Sequence, residues 1–338
     1  MNLFPPLQGT PGVSYIMPVL NEAEHVTNAV NGILGQRYAG EQEIVLALGA
    51  STDATNEIVA ELAAADPRVR WVDNPANDVP IGLNLAIAAT RHPVVIRVDA
   101  HSELPPDYAE KMVAKLSETG AANVGGVMRA RGETPLQAAI ARAYNSPFGM
   151  GGASYHSGTA EGPSDSAYLG VFRREIFDIV GPFDESLRRA QDWEFNLRIR
   201  QAGYLIWFTP EVAVDYWPRG TLDKLRRQMY ATGVWRGHLA RRGGATLKHW
   251  APPVLVLGLG NSLLLLLLRS KKGLALPLAY AAGIGAVGLQ MKPSNPLDWA
   301  LNVAVLACVH LSWGAGFIRG WCFGAESTKD RSRVAGSS

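Results

Sequence analysis

The chain has 338 residues, 47% hydrophobic and 18% charged, and 32 Lys and Arg against 30 Asp and Glu leave a formal net charge of +2. That length supports one large α/β domain with something smaller attached, and charge so near balance excludes a polyanion such as nucleic acid as a global partner. The two cysteines, Cys308 and Cys322, come late and offer no CxxC or Cys/His zinc spacing, so they read as packing residues in a reducing compartment.

Residues 1–12 lack a basic segment followed by an apolar run. A cleaved signal peptide is therefore not expected, and the N-terminal domain should stay in the cytoplasm. Val13 to Met17 is a short β-prone run ended by Pro18 and reads as a first buried strand. Asn21 to Leu34 carries a helical pattern with Val26, Val30, Ile33 and Leu34 on one side, and Asn21 or Glu22 near its start suits the positive end of a helix. Glu43 to Leu48 reads as a second strand; Ser51-Thr52-Asp53 then signals the cap of an Ala-rich helix over Asn56 to Ala65. Val69 to Val72 is a third strand, a helix follows from Pro80 to about Thr90, and Val94 to Val98 is a fourth strand ended by Asp99. Strands alternating with helices imply a parallel sheet covered on both faces. In such sheets ligands sit beyond the carboxyl ends of the strands. Asn21, Ser51 and Asp99 each follow a strand and should gather on one edge.

Asn145 to Asp165 is rich in Gly, Ser and Pro, with Gly149, Gly151, Gly152, Gly158 and Gly162, and reads as a long functional loop. Phe172 to Val180 and Asp192 to Gln201 look helical. Three apolar stretches follow, Ala251–Leu268, Gly273–Met291 and Leu297–Ile318, with Asp298 their one charged residue. Each is about long enough to cross hydrocarbon, and three near-uncharged runs in succession favour membrane embedding over buried core helices. Arg236, Arg241, Arg242 and Lys248 suit a cytoplasmic face before the first stretch. Arg269, Lys271 and Lys272 would then lie outside if that stretch crosses fully, and Pro252, Pro253 and Asn261 weaken it as a span. The alternative is a first stretch that lies at the interface or re-enters, a later hairpin, and a cytoplasmic tail with Lys329, Arg331 and Arg333. The expected division is an α/β domain over 1–245, a membrane domain of two or three helices over 246–322, and a polar tail over 323–338.

Two clusters carry chemistry. Asp99-Ala100-His101 follows a buried strand directly, where an acid and an imidazole can face one ion or one diphosphate. Such a pair can bind Mn²⁺ or Mg²⁺ with the remaining ligands from substrate and water; taken alone, it better describes a solvated loop acid with a surface His. Gln191-Asp192-Trp193-Glu194 opens a helix. Asp192 there is either a first-turn acid favoured by the helix dipole or a general base, since an Asp of ordinary pKa of about 3.9 is ionised at neutral pH.

Order along the chain adds a resemblance. Val13-Ser14-Tyr15-Ile16-Met17-Pro18-Val19-Leu20-Asn21-Glu22 resembles the first strand and loop of family 2 glycosyltransferases, and Ser51-Thr52-Asp53-Ala54-Thr55 the end of that family's second motif. Arg97-Val98-Asp99-Ala100-His101 looks like its metal motif in the Asp-x-His form of the succinoglycan-type subgroup. Gly170 to Arg174 and Gly181 to Glu185 resemble the segment before the catalytic acid, and Gln191 to Asn196 the Glu-Asp motif. The likeness runs from about Val13 to Gly243.

It implies a GT-A fold, a Rossmann-like, mostly parallel sheet with helices on both faces, followed by C-terminal transmembrane helices. It further implies an inverting transferase of hexosyl type, with a nucleotide-sugar donor and a divalent cation, Mn²⁺ or Mg²⁺. Metal and diphosphate contact map to Asp99 and His101, the catalytic base to Asp192, and the donor loops to Pro18, Asn21, Glu22 and Ser51. Arg236, in a basic and aromatic segment, is either a phosphate contact or a juxtamembrane cation. That segment lacks the Gln-x-x-Arg-Trp of processive synthases. The expected setting is a multi-pass membrane protein with a cytoplasmic catalytic domain, contacts to membrane lipids, and a lipid-linked or cell-envelope glycan acceptor seated near Phe148 to Tyr155. Two departures fall on the nucleoside pocket: Leu48 stands where relatives carry an acid, and Leu20 where they often carry a ring. Base recognition would then use backbone groups, Glu22, or Asp73 and Asn77. A nucleotidyltransferase would need a basic Gly loop that Pro18 to Glu22 lacks. A decayed, non-catalytic domain is opposed by the retention of Asp99, His101 and Asp192 together.

Overall fold

The structure, a computed structural model, describes residues 2–149, 153–241, 243 and 247–325. Gly151, Gly152, Arg242, the boundary at 245 and the tail residues Lys329, Arg331 and Arg333 lie outside the described residues. In chain order the first elements are β1 (Val13–Val19), α1 (Val26–Leu34), β2 (Gln42–Leu48), α2 (Thr55–Ala65), β3 (Val69–Asp73), α3 (Val79–Ala89), β4 (Val94–Arg97), α4 (Tyr108–Thr119) and β5 (Asn123–Ala130). Then come α5 (Pro135–Tyr144), α6 (Ser154–Ser157), β6 (Gly162–Pro163), β7 (Tyr168–Arg173), α7 (Glu175–Val180), α8 (Gln191–Gln201) and β8 (Ile206–Tyr216). The last helices are α9 (Leu222–Ala240), α10 (Ala251–Leu267), α11 (Ala275–Gln290) and α12 (Pro296–Phe323). Two compact units emerge: 2–129 with 153–216, and 130–149 with 217–325.

The first unit is built on a sheet of order β3-β2-β1-β4-β7-β5-β8-β6. β1 to β4 pair in parallel, while β7 runs antiparallel between β4 and β5. The period-2 alternation of strand side chains sorts the core. Tyr15, Met17, Val19, Ile44, Leu46 and Leu48 pack with Val26, Val30, Val59, Met112 and Leu116 from α1, α2 and α4. Ile16, Val45 and Ala47 face the other way, against Leu83, Ile176, Phe195 and Ile199 from α3, α7 and α8. Helices thus cover both faces.

Three expectations are corrected. Helix α1 starts at Val26, not at Asn21, because Asn21 takes a left-handed backbone (φ 54°) that Asn tolerates and a helix does not. Residues 172–180 are not one helix: Phe172 and Arg173 complete β7, where Phe172 pairs with both Val95 and Asn123, and only Glu175–Val180 is helical. Pro18 does not end β1, which continues to Val19. Val98 N–H donates to Ile16 C=O on the β4 side, so Pro18, two residues on, faces the same side at a level where β4 has ended, and its missing N–H costs no ladder bond.

The second unit contains the apolar helices. Leu247–Leu267, Lys271–Gln290 and Pro296–Phe323 are long and apolar enough to cross a membrane, by length and composition. Their polar residues are tied together. Arg142 Nε, on α5, donates to Asn302 Oδ1 at 2.9 Å, and the fully buried Asn302 passes its amide N–H to Gly288 C=O at 3.1 Å. His310 Nε2 lies 2.7 Å from Phe148 O. Helices α9 and α12 run parallel, backbone on backbone. A Cβ at Gly233 would stand 2.1 Å from Trp313 O and one at Gly237 2.1 Å from Phe317 O; from the other side, Gly316 meets Tyr230 O at 2.1 Å and Gly320 meets Val234 O at 1.9 Å. Two Gly-xxx-Gly pairs face each other, the pattern that lets helices approach without side chains between them.

Candidate active site

The loops that follow β1, β2 and β4 lie at the carboxyl edge of the parallel strands of the first unit. Asn21 and Ser51 meet there as scaffold: Asn21 N–H donates to Ser51 Oγ at 3.1 Å, and Asn21 Oδ1 accepts from Thr52 N–H at 2.7 Å. Glu22 N–H donates to Thr55 Oγ1 at 2.8 Å. Asp53 ties in Ala23 N–H at 3.3 Å, and its bonds from Thr55 hold its carboxyl below the ordinary range. The strand-end loops are therefore locked to each other by their polar side chains. Asn77, also left-handed (φ 53°), accepts from Ala50 N–H at 2.7 Å. Its amide thus shapes the loop after Leu48, where an acid is missing. Asp73 is exposed at the end of β3.

Around β4 the charged groups converge. Arg97, the last residue of β4, has a side chain only 9% exposed, and its Nη2 lies 3.0 Å from Asp99 Oδ1. Its Nε has no hydrogen-bond partner among the described residues. Burial works against its charge, yet Asp99 first and Asp192 next outweigh it, so its pKa is raised. His101, part-exposed, has Nδ1 3.7 Å from Glu22 Oε1, and its ring centroid is 6.3 Å from that of Tyr216. Tyr168 is pushed up by burial and by Asp99, and its hydroxyl lies 3.5 Å from Ser102 Oγ. Asp192 is exposed in the first turn of α8, where its Oδ1 accepts from Trp193 N–H at 2.8 Å. The residue before that helix, Ala190, is left-handed at φ 61°, a conformation that costs a non-glycine residue energy and that recurs beside active sites.

Arg97, Tyr168, Ser102 and Tyr216 were not among the residues expected from sequence. For Arg97 a signal exists, since it is the one charge inside an otherwise apolar strand. The tyrosines carry none, because they reach the site from β7 and β8. Arg236 sits on α9 in the second unit; its proposed phosphate contact rests on sequence position. Among the described residues, no group of three His, Cys, Asp or Glu side chains is gathered closely enough to hold a metal ion. Asp99 and His101 still supply one oxygen and one nitrogen donor, a partial set that fits a hard cation drawing its other ligands from phosphate and water.

A sheet of this order, covered by helices on both faces and with Asp99 just past a parallel strand end, has the arrangement of the GT-A fold. The model of glycosyl transferase family 2 matches residues 14–181. The succinoglycan biosynthesis protein ExoA of Rhizobium meliloti (strain 1021) is 33% identical over 314 residues, covering 90% of this chain and 93% of that protein. The chain belongs to glycosyl transferase family 2, in the succinoglycan-biosynthesis subgroup. A dolichyl N-acetyl-alpha-D-glucosaminyl phosphate 3-beta-D-2,3-diacetamido-2,3-dideoxy-beta-D-glucuronosyltransferase of Methanococcus voltae is 25% identical over 94% of this chain and 99% of its own length. Among solved structures, the mannosyltransferase PcManGT of Pyrobaculum calidifontis, in complex with GDP-Man and Mn²⁺, shares the fold with a TM-score of 0.60 at 20% identity, over 94% of this chain and 89% of that one.

Proposed function

We propose that the enzyme moves one sugar from a nucleotide-diphosphate donor, with inversion, to a membrane-associated acceptor that is lipid-linked or a cell-envelope glycan. The observation that supports this reading is that Asp99 lies just past the end of β4 with the buried Arg97 guanidinium 3.0 Å from its Oδ1, while Asp192 is exposed in the first turn of α8. A divalent cation, Mn²⁺ or Mg²⁺, held by Asp99 and His101 would offset charge on the leaving diphosphate. Asp192 accepts the proton of the acceptor hydroxyl as its oxygen bonds the anomeric carbon and the bond to the diphosphate breaks on the opposite face. The scaffolded loops at Pro18, Asn21, Glu22 and Ser51 seat the nucleoside side of the donor. Three apolar helices, the PcManGT complex and the dolichyl-linked substrate in the name of the Methanococcus relative support the donor and the lipid setting. We place residues 1–245 as the catalytic domain on the cytoplasmic face, 246–322 as a multi-pass membrane domain and 323–338 as a polar tail.

The test is a nucleotide-sugar screen on membranes carrying the protein, reading nucleoside diphosphate release with and without added lipid-linked acceptor. Asp192→Asn should keep donor binding and lose about 10²–10⁴-fold in transfer, the usual worth of a general base. Near-normal turnover in that variant removes Asp192 from the mechanism, and full activity on soluble acceptors with no gain from lipid removes the lipid acceptor.

A further inference from the structure

The buried Arg97 is not needed to hold the sheet. Its neighbours on β4, Val94, Val95 and Ile96, are apolar and fully buried, and an apolar residue would fill the same place at the strand end without a desolvation penalty. Among the described residues its Nε is buried and has no hydrogen-bond partner, which adds to its cost. The guanidinium cannot give up its charge. The guanidinium stands behind Asp99, with Nη2 3.0 Å from Oδ1.

We propose that Arg97 sets the order of binding: by engaging one oxygen of Asp99 and offsetting its charge, it keeps the bare cleft from holding a divalent cation, so the cation enters together with the donor's diphosphate. The proposal rests on the donor-site reading above. A cation approaching Asp99 meets a carboxylate with one oxygen already engaged and a fixed positive charge a few ångströms behind it. His101 adds a neutral or positive donor, never a negative one. No third protein ligand is gathered to compensate, among the described residues. A diphosphate brings the missing oxygens and the missing negative charge at once. Arg97 is thus a positioning residue, and its effect lies on metal affinity in the donor-free state.

The experiment is equilibrium dialysis of the full chain in detergent micelles against Mn²⁺, alone, with UDP, and with GDP, counting protein-bound metal above a nucleotide-only control. The wild type should take up little Mn²⁺ alone and a stoichiometric amount with at least one nucleotide. Arg97→Met should raise nucleotide-free Mn²⁺ affinity about ten-fold, the effect of deleting one nearby unit charge in a partly wet site. Arg97→Lys, which keeps the charge, should stay close to the wild type. Saturable nucleotide-free Mn²⁺ binding by the wild type, at the affinity seen with nucleotide, overturns the proposal and needs no variant to fold. Nucleotide-promoted uptake in the wild type with no gain in Arg97→Met overturns the proposal alone. No uptake with either nucleotide takes down the donor-site reading with it.

Discussion

Glu43 shows how a buried charge is made tolerable at the end of the sheet remote from the site. Its side chain is 4% exposed, and burial, the largest single influence, pushes its pKa up. Bonds from Ser14 Oγ at 2.6 Å, from Arg70 Nη2 at 2.7 Å and from Arg91 N–H at 2.6 Å more than offset this and lower it to about 2. A depressed carboxylate pKa contributes stability that is complete above the unfolded value, near 4.5, and is lost as pH falls through about 2. The contribution at pH 7 is on the order of 3 kcal/mol. Glu43→Gln should therefore melt well below the wild type at pH 7, and the gap should narrow steadily as melts are repeated from pH 4.5 downward. A gap that is constant with pH would mean the loss is one of packing. Nothing in the sequence marks Glu43 for this part, since Ser14, Arg70 and Arg91 meet it from three other segments. The same holds at the cleft. That Asp99 and His101 follow a strand and that Asp192 opens a helix could be read locally. The duty of Asn21 as a loop tie and of Asn77 as support for the loop after Leu48 depends on which loops become neighbours.

At the scale of elements, local pattern was enough for the parallel half of the sheet. The runs at 13, 43, 69 and 94 were read as strands and lie within a residue or two of β1 to β4. The antiparallel half was not read, because Tyr168–Arg173 is followed at once by α7 and its apolar residues blend into that helix. The apolar stretches were plain, but the partner of α12 was not. Helix α9 carries Arg226, Arg227 and Arg236 beside its buried Leu225, Met229, Val234 and Leu239, and its backbone meets that of α12 at Gly233 and Gly237 against Gly316 and Gly320. Close approach of this kind gains dispersion and Cα–H···O contacts only while the side chain is absent. Gly320→Leu puts a branched group where a Cβ already falls 1.9 Å from Val234 O and 2.7 Å from Val234 C. It should cost at least the ~1–3 kcal/mol of an overpacked core, seen as a lower melting temperature in detergent. Gly283→Leu is the control: among the described residues nothing lies within 4 Å of a Cβ there, on a helix long and apolar enough to cross a membrane. Equal losses in both would show that the seam is not what holds the two helices.

At the scale of the molecule, the line that hydropathy draws near residue 245 differs from the division of the fold. The second unit reaches back across that line to α9 and to α5. The reason is physical. Helix α9 lays Gly233, Val234 and Gly237 against α12, and Arg142 on α5 has its hydrogen bond to Asn302, fully buried on α12. A chain cut after residue 245 keeps every residue of the proposed catalytic domain and loses both partners. It uncovers the glycine face of α9 with the buried Val234, Trp235 and Leu239 around it, and it leaves Arg142 without Asn302. Exposed apolar seams of this kind drive association. The cut chain should therefore elute as aggregate on size exclusion, whereas the full chain in detergent should run as one species. Co-expressing 246–338 as a separate segment should restore one species in detergent, because the seam is made of contacts and needs no covalent link. If the cut chain is monodisperse in buffer and melts cooperatively near the temperature of the full chain, α9 is stable without α12. The apolar helices would then be a detachable anchor and no part of the unit that positions α9.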